Sequence, residues 1–134
     1  MMTDEQKIEL FRAMKTIAVV GLSNNPLRAS YGVSRFLQRQ GYRIIPVNPK
    51  EIEVLGERAY ATVSEVPDPI DVVDVFRRSE FVPPIVDELT GRTIRCIWLQ
   101  EGVISEEAAA KAQAMGIPIV MDRCILKELA RLTR

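Results

Sequence analysis

A chain of 134 residues, 47% hydrophobic and 27% charged, suits one globular domain and excludes a disordered or fibrous polymer. Its 18 basic and 18 acidic residues cancel, which argues against a broad grip on nucleic acid or on an anionic membrane. Histidine is absent, which removes Ser-His and Cys-His dyads, histidine metal ligands and phosphohistidine; any catalysis would rest on carboxylates, Cys, Lys, Tyr or a cofactor.

In chain order, the elements alternate. Thr3 to Met14 opens with the Thr3/Gln6 capping-box pattern and carries an apolar stripe of Ile8, Leu10, Phe11 and Met14, predicting a helix. Thr16–Gly21 is almost wholly apolar, as strands buried on both faces of a parallel sheet are. Ser30–Gln40 reads as a helix with Val33, Phe36 and Leu37 on one side and Gly41 as its stop. Tyr42–Val47 is the second strand, and the missing amide of Pro46 places it at a sheet edge or Pro46 near the strand end. Asn48–Tyr60 contains Pro49 and Gly56 and has no period, so it reads as a loop, followed by a short helical turn at Ser64–Pro67.

Ile70–Phe76 is the third strand, and Phe81–Leu89 a helix whose Pro83 and Pro84 belong in its first turn. Thr93–Leu99 is the fourth strand. Ser105 then caps a helix that carries Glu106 and Glu107 in its first turn and ends at Met115, before Gly116. Ile117–Met121 is the fifth strand and Ile125–Leu132 the closing helix.

This alternation predicts one α/β domain over residues 1–134: a doubly wound, five-stranded parallel sheet, Rossmann-like, with helices on both faces. The expected strand order is 3-2-1-4-5, with the flavodoxin-like 2-1-3-4-5 as the alternative. No apolar run reaches the length of a membrane span, and Met1–Lys15 lacks the apolar core of a signal peptide. Cys96 and Cys124 make neither a disulfide framework nor a metal cluster, so a reducing, cytoplasmic setting is expected.

For order 3-2-1-4-5 the strand order reverses between the first and fourth strands, where ligands bind such sheets. The loops there are Gly21–Ala29 and Gln100–Ser105. The first suits a phosphate: Gly21 permits a tight turn, Ser23, Asn24 and Asn25 offer short polar side chains, Pro26 closes the turn, and the next helix aims its free amides at the same spot. Arg28 can add a bidentate contact. An ordinary strand-to-helix connection would use the same residue types, and this is not a G-x-G-x-x-G fingerprint. The second strand ends Val47-Asn48-Pro49-Lys50, with a lysine where NAD-binding domains carry an acid; that suits an extra phosphate, as on the ribose of coenzyme A or NADP.

These residues together resemble the small CoA-binding proteins of bacteria and archaea, single-domain relatives of the nucleotide-binding domain of the succinyl-CoA synthetase α subunit. The resemblance runs through Gly21–Tyr31, Pro46–Pro49, Val75–Arg78, Trp98–Gly102 and Met121–Cys124. It implies that Gly21, Leu22 and Ser23 hold the pyrophosphate of CoA and that Lys50 meets its ADP portion. It implies further that Phe76 and Arg77 border the nucleotide and that Glu101 and Gly102 form the turn after the fourth strand. The synthetase subunit has a second domain and a phosphorylated histidine, and this chain shows neither, so binding without catalysis is the expectation. An NADP-dependent or CoA-handling enzyme, or a regulatory subunit with a protein partner, stands as the alternative, and a homo-oligomer is left open. Cys124, ahead of the last helix, is a candidate reactive thiol or a half-buried inert one. Cys96 reads as core. Arg77 and Arg78 serve either phosphate or an ion pair with Glu80, and Trp98 and Phe76 either stack on adenine or fill the core.

Overall fold

The computed structural model describes residues 1–133. Its elements run α1 (Asp4–Ala13), β1 (Thr16–Val20), α2 (Ala29–Arg39), β2 (Arg43–Val47), β3 (Glu53–Val54), β4 (Glu57–Arg58), β5 (Val72–Val75), α3 (Val82–Asp87), β6 (Cys96–Leu99), α4 (Glu106–Ala114), β7 (Ile119–Val120) and α5 (Ile125–Leu132). Single 3-10 turns at Val63–Glu65 and Ser79–Phe81 precede β5 and α3. The expected caps are in place. The Thr3 hydroxyl accepts from the Gln6 amide while the Gln6 side chain accepts from the Thr3 amide, and Ser105 accepts from the Ala108 amide.

Five strands form one parallel sheet in the order β2-β1-β5-β6-β7. Counting sheet strands alone, this is 2-1-3-4-5. The sheet is doubly wound as expected, but the order 3-2-1-4-5 is corrected to the flavodoxin-like alternative. Pro46 supplies the reason. Its carbonyl points to the outer edge of β2, where it accepts from the Tyr60 amide at 3.0 Å. The amide that Pro46 lacks would point the same way, so a further strand along that edge would miss a ladder bond. The edge is instead closed by Tyr60, whose carbonyl accepts from the Asn48 amide. On the other flank the Asp71 carboxylate accepts from the amides of Lys15 and Thr16, tying the start of β5 to the start of β1.

The sheet is buried on both faces. Ala18, Val20, Val73, Val75 and Leu99 pack with residues of α3 and α4. Ile17, Val19, Val72 and Trp98 pack with residues of α1, α2 and α5. The segment read as a plain loop contains a hairpin, β3–β4, turned by Leu55 at φ 55° and Gly56 at φ 79°. Two consecutive left-handed residues are what a tight hairpin turn requires. Val54, wholly buried, anchors it.

Candidate functional site

With this strand order the reversal falls between β1 and β5, so the loops that flank it are Gly21–Arg28 and Phe76–Arg78. Glu101 and Gly102, expected at the reversal, lie one strand further along, after β6.

Gly21 is the tightest point. Its backbone sits at φ +89°, and its amide donates to the Val47 carbonyl at 2.8 Å. A Cβ built there would lie 2.9 Å from the Phe76 carbonyl oxygen and 3.2 Å from Arg77 Cδ. Only glycine fits both the conformation and the space. Beside it opens a cavity of about 250 Å³, whose walls include Gly21, Asn48, Lys50, Phe76 and Arg77. Sequence reading had set these five apart on three loops; the fold brings them together.

The remaining predicted residues divide. Leu22 is fully buried, so it offers the site only its backbone, and its carbonyl accepts from Asn48 Nδ2 at 3.1 Å. The Ser23 amide donates to Ser30 Oγ, and Ser23 Oγ accepts from the Asn25 amide. Asn24 turns away: its amide donates to Glu51 and its Nδ2 to the Glu53 carbonyl, linking the loop after β1 to the hairpin. Pro26 and Arg28 are exposed, and Arg28 precedes α2 without capping it through its side chain. The α2 amino end is thus left without a side-chain cap, as an anion site requires.

Arg77 and Arg78 separate in role. Arg78 Nε pairs with Glu80 at 3.4 Å and its guanidinium lies 5.4 Å from the Phe81 ring, whereas the Arg77 guanidinium stacks closer to that ring, at 4.4 Å, and lines the cavity. Glu101 pairs with Lys127 at 3.0 Å, and the Gly102 amide donates to Asp122 Oδ1 at 2.7 Å. Trp98 is fully buried with its indole donating to the Arg123 carbonyl, so of the two aromatic candidates only Phe76 reaches the cavity. Cys124 occupies the cap position of α5, 9% exposed, and Cys96 is core, its thiol pushed up to about 12 by burial.

Sequence reasoning missed Glu51, Ser30 and Phe81, whose roles are set by contacts between distant loops. Asp74 also stands outside the predicted site residues. This central-strand carboxyl is fully buried, accepts from Gln100 Nε2 at 2.6 Å through one oxygen and leaves the other without a partner among the described residues. Burial drives its pKa up to about 7. A larger cavity of about 510 Å³ lies at the β7 edge; its walls, which include Met1, Met2, Ile119 and Met121, carry no charged side chain.

The chain is similar to several known proteins. The uncharacterized protein YneT of Bacillus subtilis is 44% identical over 117 residues, which cover 87% of each chain. A hypothetical protein from Pyrococcus horikoshii has the same fold, with a TM-score of 0.95 and 37% identity, covering 99% of this chain and 94% of that one. The α subunit of an ADP-forming acetate–CoA ligase II of Pyrococcus furiosus is 28% identical over 129 residues; the match takes in 88% of this chain but only 28% of the ligase subunit. A family model described as a CoA binding domain matches residues 15–130, from the foot of β1 into α5. The chain therefore belongs to the CoA binding domain family.

Proposed function

We propose that the chain binds coenzyme A or an acyl-CoA at the carboxyl ends of β1, β2 and β5, as a binding module without chemistry of its own. The observation that carries this reading is Gly21, whose missing Cβ lets the β1 turn lie against the Phe76 carbonyl at the reversal of strand order. The backbone of Gly21, Leu22 and Ser23 meets the pyrophosphate, with the uncapped amino end of α2 behind it. Lys50 meets the ribose phosphate, Arg77 supplies a second cation, and Asn48 fixes the loop between them. Arg28, Asn24 and Pro26 shape the rim, and Glu101 and Gly102 border the ligand from the β6 loop. The absence of histidine and the burial of Cys124 favour binding over catalysis.

Calorimetric titration with CoA and, separately, with NADP tests this reading. Saturable one-to-one heat with CoA and weaker binding of NADP is the expected result; no heat at high micromolar CoA ends it. A second reading, a module that works alongside a protein partner, draws on the ligase relatives, which are longer than this chain and named as subunits. Co-purification from the native cell tests that one.

A further inference from the structure

A second cavity, of about 300 Å³, continues from the first. The two share Val20, Val47, Pro49, Ala61 and Arg77, which mark the passage between them. The residues found only in the second mark its far end. Most are apolar, Val63, Phe81, Pro84 and Ile85 among them, and two are polar, Thr62 and Glu88. Its volume and walls suit a ring of purine size: mostly apolar side chains with a few polar groups among them.

The polar groups are built in rather than accidental. Glu88 Oε1 accepts from both the amide and the hydroxyl of Ser64, at 3.0 and 3.2 Å, and Thr62 Oγ1 lies 3.1 Å from Ser64 Oγ. Arg92 holds the same segment by donating to the carbonyls of Val63, Val66 and Asp68. Glu88 is thereby fixed in place, and Oε2 accepts from no other group among the described residues.

We propose that this cavity holds the purine of the nucleotide and that Glu88, held in place by Ser64, reads the edge of the base farthest from the ribose, selecting adenine over hypoxanthine. The inference rests on the CoA reading above. With ribose and phosphates beside Gly21 and Lys50, a base entering through the shared passage turns its exocyclic group toward Glu88. The adenine amino group donates to a carboxylate; the carbonyl that hypoxanthine carries there meets it with repulsion.

The test compares CoA with its deaminated analogue, in which hypoxanthine replaces adenine, by calorimetric titration of the intact chain and of Glu88→Gln. Wild type should prefer CoA by on the order of tenfold or more, the scale of one hydrogen bond to a charged acceptor. Glu88→Gln, whose amide can donate to a carbonyl or accept from an amine, should bring the two ligands to within about twofold. Equal binding of both ligands by wild type overturns the inference while leaving CoA binding intact. A preference that survives in Glu88→Gln overturns the role of Glu88. Failure of wild type to bind CoA at all defeats the parent reading and this one with it. Because Glu88 also holds Ser64, a CoA whose adenine amine is dimethylated keeps the test on wild-type protein. That ligand should bind about tenfold or more weakly, and binding equal to CoA overturns the inference.

Discussion

Between α1 and α5 each charge meets its opposite. Lys7, 6% exposed, donates to Glu128 at 2.8 Å, and Arg131 spans Glu128 and Asp4 at 2.7 and 2.9 Å. The Arg131 and Lys7 hydrogen bonds hold the Glu128 carboxyl at about 2, against the opposing pull of burial. Beside Gly21 the pattern reverses: Lys50 and Arg77 line the cavity, Arg28 stands on the adjoining loop, and none of the three forms an ion pair with a described residue. The clamp spends its charges on holding two helices together. The cavity keeps its cations available for an anion. Burial explains the difference, since a charge that has lost water needs a partner within the fold, whereas an exposed one can wait for a ligand.

The largest effect should come from the clamp. Glu128→Ala leaves Lys7 buried without a counter-charge, which costs about 3–5 kcal/mol of stability. Urea melts measure the loss, and CoA affinity should stay within about twofold of wild type because the two regions share no partner. A collapse of CoA affinity at unchanged fold would break the comparison. The clamp also has a pH signature. Glu128 is depressed from 4.5 to about 2, so its stabilisation is present above pH 4.5 and is lost as pH falls toward 2.

Asp74 is a buried carboxyl with the opposite sign. Its pKa is raised from 3.8 to about 7, so the stability it contributes is full below pH 3.8 and is lost as pH rises through 7. The shift corresponds to a loss of up to about 4 kcal/mol across that window. Asp74→Asn should therefore flatten the fall, and urea melts at about pH 5 and about pH 8 measure it. Parallel losses in wild type and variant would show that the unpartnered oxygen is solvated and that Asp74 carries no such penalty.

The smallest effect sharpens the account of the cavity. Lys50→Ala should weaken CoA about tenfold while barely changing dephospho-CoA, since one hydrogen bond to a phosphate is lost in the first case only. Equal losses for both ligands would mean that Lys50 reads something other than the ribose phosphate. Fold stability should not change, because the Lys50 side chain has no polar partner among the described residues.

Much of this was legible in the chain. Short, mostly apolar runs marked all five sheet strands, and Thr3, Ser105, Gly41 and Gly116 marked helix ends where they are found. The strand order was not read correctly, although Pro46 carried the information: a strand that cannot donate outward belongs at the edge, and 2-1-3-4-5 puts it there. Among the cavity's walls, Gly21, Asn48 and Lys50 were legible from residue type next to strand ends, and Phe76 and Arg77 from the family resemblance. The contacts of Asn24 were not legible, because its partners Glu51 and Glu53 lie just before and on a hairpin of two-residue strands too short to show a period. Thr62 and Glu88 were invisible for a related reason. They are linked through Ser64 only because α3 packs beside the 3-10 turn after Thr62, and nothing in either segment alone announces that link.

The central claim is that the β1 turn receives the pyrophosphate of CoA because residue 21 has no side chain. Calorimetric titration of CoA into wild type and Gly21→Ala tests it most directly. A Cβ at 2.9 Å from the Phe76 carbonyl must displace backbone on one loop or the other. The account predicts saturable one-to-one binding by wild type and a loss of at least about tenfold in the variant, with the helical circular dichroism of the two proteins superimposable. Equal CoA affinity in wild type and Gly21→Ala would contradict it.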